Sequence, residues 1–152
     1  MNTINLIQEL IRTRDQTLPF FDLSKEDLKK TYSLGKWDIK LILVHIADSE
    51  SVFHERIKRI VSDSKQIIWG FDQDLWSSQL DYENFPISLS KELYHANRNS
   101  VIYFAEKYYA NSDKIQFIHS ESGLKCLKDI FDYFPFHNQT HLNQIQSALN
   151  SH

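Results

Sequence analysis

One cysteine, three glycines and three prolines in 152 residues give this chain few means of making covalent staples or tight turns. The lone Cys126 excludes an internal disulfide, so the fold rests on packing, and the pattern suits a reducing compartment. Scarce glycine and proline disfavour a β-sandwich or barrel and favour long helices joined by polar loops. No apolar run approaches the ~20 residues that cross a bilayer. The longest, Ile39 to Ala47, is broken by Lys40 and His45. The opening stretch carries Glu9, Arg12 and Arg14 with no small-residue cleavage site after it, so a cytoplasmic protein with no membrane partner is expected. Seventeen basic and twenty acidic residues are interspersed, for a net charge of −3, which offers no footprint to nucleic-acid phosphates. Internal repeats, low-complexity tracts and composition shifts are also missing, which predicts one domain over residues 1–152. There is no Gly-rich phosphate loop, GxSxG elbow or CxxC pair.

What the chain does have is helical periodicity and aromatic rings, the latter 13% of its residues. Leu6, Ile7, Leu10, Ile11, Leu18 and Phe21 recur at helical spacing from about Thr3 to Phe21, with Thr3 as a candidate N-cap and Pro19 as a kink or stop. Ser24 to Asp27 resembles a capping box before a short turn of helix. From Asp38 to about Val61, the residues Ile39, Ile42, Leu43, Ile46, Phe53, Ile57 and Ile60 form one uninterrupted stripe. Residues Ser62 to Pro86 show no sustained period and read as a loop holding one short helix. A third long helix is expected from Ser88 or Ser90 to Ala110, burying Leu93, Ala96, Val101, Phe104 and Tyr108. Lys114 to His119 reads as an extended connector, and a last helix is expected from Leu124 to Leu149, kinked or divided at Pro135. Four long amphipathic helices pack most simply as an all-α four-helix bundle.

Two of the seven histidines, His137 and His141, stand four apart in FHNQTHLNQI. Chance alone gives about 0.3 such pairs in a chain of this composition, so spacing by itself is weak. It does set geometry, because four residues overshoot one helical turn by only about 40°. Both rings therefore share a face with Ile130, Phe134, Gln144 and Ala148. They are either boundary histidines bonded to carbonyls or two ligands of one metal ion. His45, in VHIAD beside the second helix's apolar stripe, is the candidate third ligand, and three imidazoles from two facing helices leave coordination positions open. HExxH is absent, since Asn138 follows His137. His54 and His95 read as solvated surface residues and His152 as terminal, while His119 either caps the turn at Gly123 or reaches substrate. Cys126 reads as a buried inert thiol or as a fourth ligand.

The ordered set KWDIKLILVHIADSESVFHERI, WGFDQDLW, Arg98 and HSESGLKCLKDIFDYFPFHNQTHLNQI resembles the DinB-like family of metalloenzymes, which takes in YfiT-type proteins and thiol-dependent S-transferases. The resemblance spans roughly Leu23 to Leu149. It implies an up-down-down-up bundle whose metal is held by His45, His137 and His141, and homodimers are common among such relatives. Zn²⁺ leads, with Ni²⁺ or Fe²⁺ as the other imidazole-compatible ions. Glu50 and Arg98 read as a buried ion pair, with a substrate clamp by Arg98 as the rival role. The expected activity is transfer from a small electrophile to a low-molecular-weight thiol activated by the ion, with metal-dependent hydrolysis as the alternative. A non-catalytic bundle that binds metal or ligand is the reading from another class.

Overall fold

Asp38 opens one of the two longest helices by accepting a hydrogen bond from the Leu41 N–H at 2.8 Å, which satisfies one of the free donors of the first turn. The computed structural model describes residues 1–151; His152 lies outside the described residues. The elements are α1 (Thr3–Thr17), α2 (Ile39–Ser62), β1 (Ile67–Ile68), α3 (Gln73–Gln79), α4 (Ile87–Tyr108), β2 (Gln116–His119), β3 (Gly123–Cys126) and α5 (Leu127–Asn150). No described helix is long and apolar enough to cross a membrane.

The long helices form a four-helix bundle, and pairwise contacts fix their directions. Tyr109 donates to the Met1 carbonyl while Lys91 pairs with Asp22, so α4 runs against α1. Lys40 reaches the Glu83 carbonyl while His54 meets Ser100, so α2 runs with α4. His45 lies beside His141 while Phe53 packs on Phe134, so α5 runs against α2. The order is therefore up-down-down-up, with α1 diagonal to α2 and α4 diagonal to α5.

Two apolar clusters fill the bundle. Leu6, Leu10, Phe53, Ile57, Phe131 and Phe134 belong to one end. Phe21, Ile39, Ile42, Leu43, Tyr94 and Ile145 belong to the other. Each such fully buried side chain contributes about 1.5–3 kcal/mol relative to exposure. Between the clusters lies a polar layer that takes one or more residues from every long helix, namely Thr13 and Thr17, Glu50, Arg98 and Asn138, all buried.

Several local expectations change. The cap of α1 is Asn2, whose side chain accepts from the Asn5 N–H at 2.8 Å, rather than Thr3. Its regular part ends at Thr17 and tightens to a 3₁₀ turn over Leu18–Asp22, where Pro19 has no N–H to give. On α4 the buried face is Ser90, Tyr94, Arg98, Val101 and Ala105, whereas Leu93 and Ala96 are exposed. The buried row contains Ser90 and Arg98, so its polar members hid it from a search for apolar period. Residues 124–126 are strand, not helix, because they pair antiparallel with β2 around Gly123, whose φ of +73° suits a residue without Cβ. The last helix then starts at Leu127 and runs through Pro135 as one helix to Asn150. β1 adds to the other edge of β2 in parallel, and the small sheet closes one side of the bundle near the end of α2.

Candidate metal centre

His45 points inward from α2 because the apolar stripe of that helix continues on both sides of it, and it is 1% exposed. His137 and His141 face it from α5, one turn apart, in the same polar layer. His137 Nε2 lies 3.2 Å from His45 Nε2 and 3.1 Å from His141 Nε2. One donor nitrogen from each ring falls within 4.8 Å of the others. Ligands bonded at 2.0–2.1 Å to one ion stand about 2.8–3.4 Å apart in octahedral or tetrahedral arrangement, a range that holds both His137 spacings.

The donor set itself fits a cation. A ring nitrogen carries either one proton or one lone pair, so His137 Nε2 can satisfy only one of its two nitrogen neighbours by hydrogen bonding. A divalent ion satisfies all three. The rings are also held in the form that binds metal. Burial lowers the His45 pKa to about 3, with His141 adding to the effect. Burial, then His141, His45 and Arg98, lower that of His137 to about 2. His141 is lowered by burial, opposed by its bond to Gln144. All three are neutral at pH 7, with lone pairs free.

The support around the rings is specific. Gln144 Oε1 lies 2.8 Å from His141 Nδ1, so Nδ1 carries the proton and Nε2 the lone pair. Gln144 in turn donates to Tyr32 at 3.3 Å. Ser49 Oγ sits 3.2 and 3.4 Å from the two nitrogens of His45, beside the ring. Trp37 packs on His45 with centroids 5.1 Å apart, and Phe53 packs edge-on to His137 at 5.5 Å. Gln144 shared the predicted histidine face but had been given no role; its signal was a polar residue three positions after His141.

Arg98 is 1% exposed and every N–H it has is occupied. Nε and Nη2 grip Glu50 at 2.6 and 2.8 Å. Nη2 also donates to Asn138 Oδ1 at 3.0 Å, and Nη1 donates to Thr13 Oγ1 at 2.7 Å and the Leu10 carbonyl at 3.2 Å. Burial alone would lower its pKa, but the Glu50 carboxylate more than offsets this and keeps it charged. The structure thus supplies the ion pair and leaves no donor for a substrate clamp. Asn138, which sequence reasoning passed over, also accepts from Tyr94 at 2.7 Å and donates to Thr17 at 2.9 Å, tying three helices together behind the histidines.

A cavity of about 450 Å³ opens beside His45 and His137, walled by Phe53, Phe71 and Tyr133 with Arg56, His119 and Glu121 on its polar side. His119 is half-buried there and also receives the Glu121 N–H at 3.3 Å, so it joins the turn and the cavity together. Its pKa is lowered by burial, then by Arg56. Cys126 does not join the histidines. It caps α5 half-exposed, with Sγ 3.3 Å from Asp129. His54 is buried rather than solvated, held by Asn97 and Ser100, while His95 is exposed as expected.

The sequence pattern of the DinB superfamily matches residues 9–145. The chain belongs to the DinB superfamily. Similar proteins include two of Oceanobacillus iheyensis, each named as a candidate metal-dependent hydrolase. One is 28% identical over 129 residues, 85% of this chain and 74% of the relative. The other is 28% identical over 144 residues, 95% of this chain and 82% of the relative. YfiT from Bacillus subtilis, described as a candidate metal-dependent hydrolase with an unusual four-helix bundle topology, superposes with a TM-score of 0.86 at 19% identity, over 96% of this chain and 85% of that one. A mycothiol-dependent maleylpyruvate isomerase superposes with a TM-score of 0.75 at 4% identity, over 95% of this chain and 61% of that one. At these identities the two structures share the fold.

Proposed function

We propose that this DinB-superfamily chain is a metal-dependent enzyme in which His45, His137 and His141 hold a divalent ion, zinc first. The ion supplies charge that lowers the pKa of a small nucleophile and orients it. The observation that carries the reading is the convergence of three neutral Nε2 atoms at the end of a cavity.

A low-molecular-weight thiol is the nucleophile this surrounding favours. The polar groups touching the imidazoles are the Ser49 hydroxyl and the Gln144 amide, neither a base at neutral pH. Beside zinc, the pKa of water comes down only to about 7–9, whereas a coordinating thiol, near 8.5 when free, is deprotonated outright and needs no base beside the ion. The reaction forms a carbon–sulfur bond to a small electrophile bound against Phe53, Phe71 and Tyr133, and the leaving group departs with its electron pair while the thiol proton passes to solvent. The protein's residues position the partners and exclude water, and no side chain need form a covalent intermediate.

Hydrolysis is the second reading, favoured by His119 and Glu121 on the far wall, either of which could accept a proton, and by the names of the relatives. The two part in one assay series. Tag-free protein is analysed for metal, loaded with zinc, and given cysteine or glutathione with an alkylating electrophile, and separately an activated ester. Thiol consumption that His137→Ala abolishes supports transfer, whereas ester cleavage alone supports hydrolysis. Metal content unchanged in His45→Ala removes the centre.

A further inference from the structure

The bundle contains two buried arginines, and their partners differ. Arg98 has all its donors filled, as described above. Arg56 on α2 is 7% exposed, yet its only hydrogen bond among the described residues runs from Nη2 to the Trp69 carbonyl at 2.7 Å. Its Nε is shielded from solvent and has no partner. The guanidinium carbon lies over two aromatic rings, 5.5 Å from the Phe53 centroid and 5.9 Å from that of Phe71. No described carboxylate is in salt-bridge contact with it, and Glu121 and Glu55 act on it only from farther off; leaving a buried charge without a contacting anion is costly. Burial lowers its pKa, opposed first by Glu121, but a guanidinium stays protonated at neutral pH.

We infer that Arg56 is the anchor for a carboxylate on the molecule that enters the cavity beside the three histidines. Resting on the metal-centre reading, this assigns the substrate or its thiol partner to the small carboxylic acids. Arg56 and His137 line one cavity and lie within about 11 Å of each other, since each stands 5.5 Å from the Phe53 ring. A short molecule therefore reaches both. The planar guanidinium fork matches a carboxylate with paired hydrogen bonds. A dianionic phosphate fits less well, because one buried cation balances one charge and Glu121 shares the wall. The other acidic group there, Asp129, is engaged in capping, accepting from the Cys126 N–H at 2.9 Å. Lys125 stands exposed at the rim of the same cavity, a second positive charge to draw the anion in.

The test uses the full chain stripped of metal by chelation, so that it does not depend on the ion. Propionate, propionamide and inorganic phosphate are titrated in turn while the arginine Nε–H signals are followed by nitrogen-15 NMR. The expected result is a saturable shift of the Arg56 signal by propionate, binding at least ten-fold weaker for propionamide and for phosphate, and a ten-fold or greater loss for propionate in Arg56→Met. Equal binding of propionamide, tighter binding of phosphate, an unmoved Arg56 signal, or unchanged propionate affinity in Arg56→Met each overturns the assignment. The wild-type signal carries the test if that variant does not fold. Zinc affinity measured on Arg56→Met should match wild type, so failure here is distinguishable from failure of the metal centre, which the histidine variants report.

Discussion

Gln144 acts on the metal centre without belonging to it. By accepting the proton of His141 Nδ1 it leaves Nε2 as the lone-pair atom, and removing that acceptor frees the ring to change tautomer. Gln144→Leu is expected to weaken zinc binding 10- to 100-fold, read by competition with a chromophoric chelator, while Gln144→Glu retains it. Arg98 and Glu50 make a different case, because the pair has no route to solvent. Arg98→Met alone strands a buried carboxylate and should cost about 3–5 kcal/mol in denaturant unfolding; adding Glu50→Leu should restore part of that loss. Additive losses would mean that the two side chains do not interact. Of these residues the ion pair was legible: a carboxylate on an apolar stripe demands a partner, and the family resemblance pointed to Arg98. Asn138 and Thr13 were not, because a short polar side chain on a buried face looks the same in a sequence as one turned to water.

At the scale of elements, α2 carries His45, Glu50 and Arg56 on one rod, so its start controls all three. Asp38→Ala removes the bond to the Leu41 N–H and should lower stability by about 1 kcal/mol, seen as a lower thermal midpoint with zinc stoichiometry unchanged. An unaltered midpoint would show that the cap is dispensable. The stripe of α2 was legible because its apolar residues recur at helical spacing with no glycine or proline among them, and they meet two partner helices. The face of α4 was misread, since the row that packs inward runs through Ser90 and Arg98; partners on α1 and α2 reward Arg98 for being there, whereas the Ser90 hydroxyl is buried with no hydrogen-bond partner among the described residues. Residues 124–126 were misread for a related reason. Leu124 and Cys126 carry no marked helical disadvantage, and pairing with Gln116 to Ile118, the other arm of a hairpin that turns over Ser120 to Ser122, makes them strand. Strands this short leave too few positions for a two-residue alternation to show.

For the whole molecule, the histidine layer links folding, protons and metal. In the folded chain His45 and His137 stay neutral down to about 3 and about 2, whereas in the unfolded chain they take up protons near 6.5. Between those values the unfolded state binds more protons, so stability rises with pH there and is lost on acidification below about 6.5. The slope approaches about 1.4 kcal/mol per pH unit for each such histidine. Chelated protein should therefore show a nearly constant midpoint above pH 7 and a falling one from pH 6.5 to 4.5, before most carboxylates titrate. His137→Ala should flatten that fall by close to one proton. Zinc at 100 times its dissociation constant should add about 2.7 kcal/mol at pH 7.5, because it binds only the folded arrangement. In the folded chain His45 and His137 are already neutral at pH 5, so protons do not displace zinc from them there, and that increment should hold nearly constant down to pH 5 while the stability of both forms falls. Denaturant unfolding across the pH series, with and without zinc, checks both halves. A zinc increment lost by pH 5 would show that these imidazoles titrate in the folded chain, and an acid slope equal in wild type and His137→Ala would take the proton linkage away from the histidine layer.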